Sequence, residues 1–143
     1  RHNPQFGQDE LAGSLRQQGI EYVYIKELGG LRSAARQSMN EGWRNKSFRN
    51  YADHMQTEPF SQGLQQLMAL ARQAPAVIMC AEAVPWRCHR SLVADALLVH
   101  GLSVDEIISS GNTRPHTLTS FAKVVGTTIT YPKPPEKDTA DAE

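Results

Sequence analysis

Ala76-Val77-Ile78-Met79-Cys80 is an unbroken apolar run, and seven residues later the chain reads Cys88-His89-Arg90-Ser91-Leu92-Val93-Ala94-Asp95-Ala96-Leu97. A short continuous apolar run is the pattern of a strand buried on both faces. In the second stretch Leu92, Val93, Ala96 and Leu97 share one helical face, and Gly101 supplies a stop for a helix from about Cys88 to His100. Strand, short loop and helix in that order point to a sheet covered by helices.

Working outward, the pattern alternates. Asp9 to Gln18 reads as a helix with Gly19 at its C-cap. Ile20 to Ile25 alternates and is rich in β-branched and aromatic residues, so it reads as a strand. Leu28-Gly29-Gly30 is a loop, and Leu31 to Lys46 reads as a surface excursion over a site. Phe48, Tyr51, Ala52 and Met55 fall at helix spacing. Pro59 fits the first turn of a further helix to about Gln73, with Phe60, Leu64, Leu67, Met68 and Ala71 on its packing face. Val104 to Ile108 reads as a strand, and Val124 to Tyr131 as a hairpin turning near Gly126. This order predicts an α/β fold: three layers, with a Rossmann-like, mostly parallel sheet flanked by helices.

The chain has 143 residues, 40% hydrophobic and 21% charged, which suits one soluble domain. Residues 1–131 are read as that domain and 132–143, opening with Pro132-Lys133-Pro134-Pro135, as a flexible polar tail. Fifteen basic and fifteen acidic residues leave a formal net charge of zero. That weighs against a strongly basic nucleic-acid binder. No apolar run is long enough to span a bilayer, so no membrane partner is expected. Two cysteines are too few for a disulfide framework, which favours a cytoplasmic setting, although Cys80 and Cys88 are spaced so that a bridge is feasible. Arg1-His2-Asn3-Pro4-Gln5-Phe6 has neither signal- nor transit-peptide character and reads like the middle of a protein.

The chemistry is concentrated between Cys80 and Ser91. A helix start beyond the end of a strand offers free backbone N–H groups and the positive end of the helix dipole. Arg87 and Arg90 add charge, and His89, Arg90 and Ser91 supply amides. This design suits a phosphate-bearing small molecule or nucleotide. The same position favours the thiolate form of Cys88. Cys88, His89 and Glu82 are therefore the candidate nucleophile, proton carrier and base. Arg90, Arg87 and Ser91 are the candidate substrate contacts, with Trp43, Arg44, Tyr51, His116 and Arg1 from neighbouring loops.

Each residue also has a plainer reading: Cys80 in a core, Cys88 packed under the helix start, Glu82 and Arg90 as an ion pair, His89 bonded to a carbonyl. Cys80, Glu82, Cys88 and His89 are plausible metal-ligand or redox types, but their spacing matches no standard metal motif, and no metal site is assigned. A second cluster, Gly42 to Tyr51, interleaves aromatic residues with Arg44, Lys46 and Arg49. It supports an alternative reading as a nucleic-acid-associated binding module. Its plainer reading makes Phe48 and Tyr51 the core face of a helix. Arg114-Pro115-His116 is a third, weaker cluster. Whether the protein is an enzyme, and which cofactor it uses, the sequence leaves open.

Cys80-Ala81-Glu82-x-x-Pro85-x-x-Cys88-His89-Arg90 resembles the signature of the DUF488 family of uncharacterised bacterial and archaeal proteins. Arg1-x-Asn3-Pro4-x-Phe6, the stretch from Tyr22 to Gly30, Gly42-Trp43-Arg44-Asn45, and Arg114-Pro115-His116 with Leu118-Thr119 agree in order. The resemblance implies a three-layer α/β fold and a strand-helix-strand segment ahead of Arg1. On that expectation the domain is N-terminally incomplete relative to the family, and an exposed sheet edge leaves homo-oligomerisation open. The resemblance supplies no reaction.

Overall fold

The structure is a computed structural model, and it describes residues 7–35, 37–80 and 88–134. Its elements run α1 (Gln8–Gln17), a 3₁₀ turn (Lys26–Leu28), α2 (Lys46–His54), α3 (Glu58–Gln73), α4 (Arg90–Val99), β1 (Asp105–Ser109), β2 (Asn112–Pro115), β3 (Lys123–Val125) and β4 (Thr128–Thr130).

The expected Rossmann-like parallel sheet is not what forms. Among the described residues the only sheets are two antiparallel hairpins, β1 with β2 and β3 with β4. The segments 20–25 and 76–80 are extended, as their residue types dictate, but carry no strand ladder. A strand needs a hydrogen-bonded neighbour as well as β-forming side chains. Nor is the 76–80 run covered on both faces. Val77 is 74% exposed and Met79 52% exposed, while Ile78 packs on the core. The alternation is that of an extended segment covered on one side only. Ile20 and Tyr24 are likewise exposed.

The helices form where the sequence places them, for local reasons. Asn45 accepts bonds from the Ser47 and Phe48 amides and caps α2. Thr57 caps α3, with Pro59 in its first turn. Each cap satisfies donors that the helix itself leaves unpaired. The two hairpins turn at Gly111 and Gly126, both at positive φ (71° and 61°), where a side chain would be strained.

The core is one cluster from α2, α3, α4 and β4: Tyr51, Phe60, Leu64, Leu92 and Tyr131 are among its most buried members. Trp43 packs edge-on against Phe48 and Phe121 and beside Tyr131, with ring centroids 4.8–5.4 Å apart. Its indole N–H is buried without a partner among the described residues. The segment 31–46 is mostly exposed, as expected of a surface excursion, but it dips into the core at Asn40. Asn40 is fully buried, its Oδ1 accepts from the Tyr131 amide (2.8 Å), and its Nδ2 donates to Asp53 (2.7 Å). Gly42 donates to the Tyr131 carbonyl (2.8 Å). A Cβ there would sit 2.6 Å from the Pro132 oxygen, so only glycine allows this approach. No helix among the described residues is long and apolar enough to cross a membrane.

Candidate functional site

Cys80, at the end of the extended 76–80 segment, and Cys88, just ahead of α4, face one another. Their sulfurs are 3.2 Å apart, and no disulfide joins them. Cys80 is half-buried and Cys88 is buried. Two further donors converge on Cys88 Sγ: the Arg90 amide at 3.2 Å and the Arg90 Nε at 3.0 Å. Burial pulls the Arg90 guanidinium pKa down, but its hydrogen bond to Cys88 and the neighbouring sulfur charges raise it overall. Three donors, the Cys80 thiol and the two Arg90 groups, thus converge on one sulfur.

The helix start is therefore already engaged. The Arg90 amide bonds the Cys88 sulfur, the Ser91 amide and hydroxyl bond the Cys88 carbonyl, and the Leu92 and Val93 amides bond the His89 carbonyl. The group facing these amides is the chain's own Cys88 sulfur.

His89 lies against the same cluster: one ligand atom each of Cys80, Cys88 and His89 fall within 4.8 Å of one another. Its ring is held on two sides. Tyr51 packs at a centroid distance of 5.0 Å, and Gly30 lies so close that a Cβ would come within 2.5 Å of His89 Nδ1. Tyr51 is itself fixed by donating to the Leu28 carbonyl (2.7 Å). Burial raises the Tyr51 phenol pKa. Burial first, then the Arg90 and Arg32 charges, lower the His89 pKa, so the ring favours its neutral form.

The other sequence candidates lie apart from the sulfurs or outside the description. Glu82, Arg87 and Arg1 are outside the described residues. Trp43 belongs to the aromatic core and Arg44 is exposed. A cleft of about 510 Å³ beside the start of α2 includes Glu41, Lys46 and Arg49 and shares no residue with the sulfur cluster.

His116 joins a separate buried network on the far part of α4. Its Nε2 meets Asp95 Oδ1 (2.7 Å) and its Nδ1 meets Glu106 Oε1 (2.8 Å), while Glu106 Oε2 accepts from Arg114 Nε. Asp95 further accepts from the Thr119 amide and hydroxyl and from the Tyr131 hydroxyl. The Asp95 hydrogen bond raises the His116 pKa against the opposing effect of burial, helped by Glu106. Asp95 was missed in the sequence. Its signal was a lone carboxylate between Ala94 and Ala96 in an otherwise apolar helix face.

A sequence model described as "Domain of unknown function DUF488" matches residues 1–97, about two thirds of the chain. The chain belongs to the DUF488 family. No curated protein and no solved structure matches it. The part of the chain matched by the DUF488 model contains both cysteines, His89 and Arg90, and ends within α4 just past Asp95.

Proposed function

We propose that the protein works through thiol chemistry, with Cys80 and Cys88 as a dithiol that cycles to a disulfide. The observation that carries this reading is the 3.2 Å approach of the two sulfurs, with the Arg90 amide and guanidinium both directed at Cys88. The substrate class is a disulfide or mixed disulfide. The more exposed Cys80 sulfur attacks it, and the Cys80 proton leaves with the first released thiol. Cys88, as thiolate, then attacks the Cys80 sulfur and expels the second thiolate. Two electrons pass from the cysteine pair to the substrate, whose disulfide bond is exchanged for the Cys80–Cys88 bond.

A phosphate-bearing small molecule or nucleotide at the helix start has weaker support, because those amides bond Cys88 and His89. A nucleic-acid stacking surface has weaker support too, because Trp43 and Tyr51 pack in the core.

The test is incubation of the chelator-treated protein with oxidised glutathione, followed by mass spectrometry. The intact protein is expected to lose two hydrogens and form the Cys80–Cys88 bridge. Cys88→Ser is expected to trap glutathione on Cys80, and Cys80→Ser to react far more slowly. A wild-type protein that stays a dithiol in excess oxidant, or a Cys80→Ser variant that exchanges as fast as wild type, overturns the reading.

A further inference from the structure

We propose that the reduced cluster of Cys80, Cys88 and His89 is also a binding site for one thiophilic cation of the Zn²⁺ class. Two thiols and an imidazole are the ligand set that soft and borderline d¹⁰ cations prefer over Mg²⁺ or Ca²⁺. Three protein ligands with a fourth position left to water or substrate is the pattern of a reactive rather than a purely structural zinc site.

The geometry is close to what such an ion requires. Metal–sulfur bonds of about 2.3 Å and metal–nitrogen bonds of about 2.0 Å at tetrahedral angles set the sulfurs about 3.8 Å apart, and each about 3.6 Å from the nitrogen. The sulfurs now stand at 3.2 Å, and all three ligand atoms lie within 4.8 Å of one another. Parting the sulfurs by about half an ångström and closing the imidazole by about one ångström completes the triangle. Cys80 is half-buried, so an ion has a route in.

The surroundings are those of a supported ligand set. The Arg90 amide and Nε donate to Cys88 Sγ, and outer N–H donors of this kind orient a ligand and tune its charge. Gly30 and Tyr51 hold the His89 ring from two sides, which limits the ordering cost of using it as a ligand. Binding M²⁺ takes the place of the thiol protons, which are released to solvent, so two thiolates and one dication sum to zero charge.

This site shares its sulfurs with the thiol-exchange reading and adds a regulatory consequence. The disulfide has no thiolate to offer, so oxidation by a disulfide substrate expels the ion, and the bound ion protects the dithiol. The two readings are separable, because disulfide formation is measured in chelated protein and cation uptake in reduced protein.

The experiment titrates Co²⁺ into the reduced full chain and follows sulfur-to-cobalt charge-transfer and four-coordinate d–d absorption. One equivalent is expected to bind. Cys80→Ser and Cys88→Ser are expected to lose the charge-transfer bands or most of their intensity. His89→Gln is expected to weaken binding at least about tenfold, whereas His100→Gln binds as wild type. Alkylating the thiols of folded wild-type protein abolishes uptake without any substitution, which covers a serine variant that folds poorly. Diamide-oxidised protein binds none until reduced. Absence of the bands with Co²⁺ in excess over reduced, folded protein overturns the proposal, as does uptake unchanged by Cys88→Ser or by His89→Gln.

Discussion

Cys88 and Asp95 are both buried and both belong to α4 or its lead-in, yet they are held in opposite ways. Asp95 accepts from His116, from Thr119 twice and from Tyr131, which come from different stretches of the second half of the chain. Every partner is a fixed side chain or amide, and nothing around the carboxylate can be exchanged without breaking the fold. Among the described residues Cys88 is satisfied mainly by its own neighbour two residues on, and its other hydrogen bond is to a second thiol. A thiol proton can be replaced by a sulfur–sulfur bond or a cation with little movement of the backbone. The contrast separates a buried polar group locked into the fold from one whose proton is open to replacement, as the proposed thiol chemistry requires.

The largest expected effect comes from breaking the Asp95 network. Asp95→Ala removes one of the two acceptors of the buried His116 and the acceptor of the Tyr131 hydroxyl. Unfolding by urea is expected to show a loss of about 3–5 kcal/mol. Cys88→Ser, measured alongside, is expected to cost distinctly less, and an equal loss would erase the distinction drawn here.

The next effect is a pH dependence. The folded-state pKa of His116 is raised by Asp95 and Glu106, so its contribution is fully present below the unfolded value of about 6.5. That contribution fades as pH climbs through the raised folded value. Burial shifts His54 and His89 the other way, so the informative quantity is the difference between wild type and His116→Gln. Calorimetry across neutral pH is expected to show the wild-type advantage in Tm shrinking as pH rises. An advantage that grows with pH would contradict the assignment.

The smallest expected effect on stability sharpens the other half of the comparison. Gly30 is not at positive φ, so alanine fits the backbone there, and the three atoms its Cβ would meet first all belong to the His89 ring. Gly30→Ala is expected to cost about 1 kcal/mol or less by displacing that ring. Its Co²⁺ affinity is expected to fall about tenfold at nearly unchanged Tm. Unaltered affinity would mean that the ring position does not matter.

The sequence was most legible where structure is local. The periodicity of Phe60 to Ala71, Pro59 in the first turn of α3, and the turn at Gly126 all act within a few residues. Ala76 to Met79 misled because an apolar run looks the same whether one face is covered or two, and Val77 in fact faces solvent. The neighbourhood of Cys88, His89 and Arg90 was visible because they are adjacent, but nothing in the spacing of Cys80 and Cys88 fixed whether their side chains would face one another. Asn40 and Tyr131 stayed hidden because their pairing joins distant parts of the chain.

That last pairing bears on how the molecule is made. The Asn40–Tyr131 bond spans 91 residues and the Asp95–Tyr131 bond 36. Closing a loop of about 90 residues costs roughly 2 kcal/mol more entropy than closing one of about nine. Tyr131 therefore acts as a clasp whose two bonds close far longer loops than the contacts within α2, α3 or α4 do. During synthesis, a chain still short of Tyr131 carries Asn40 and Asp95 without that partner.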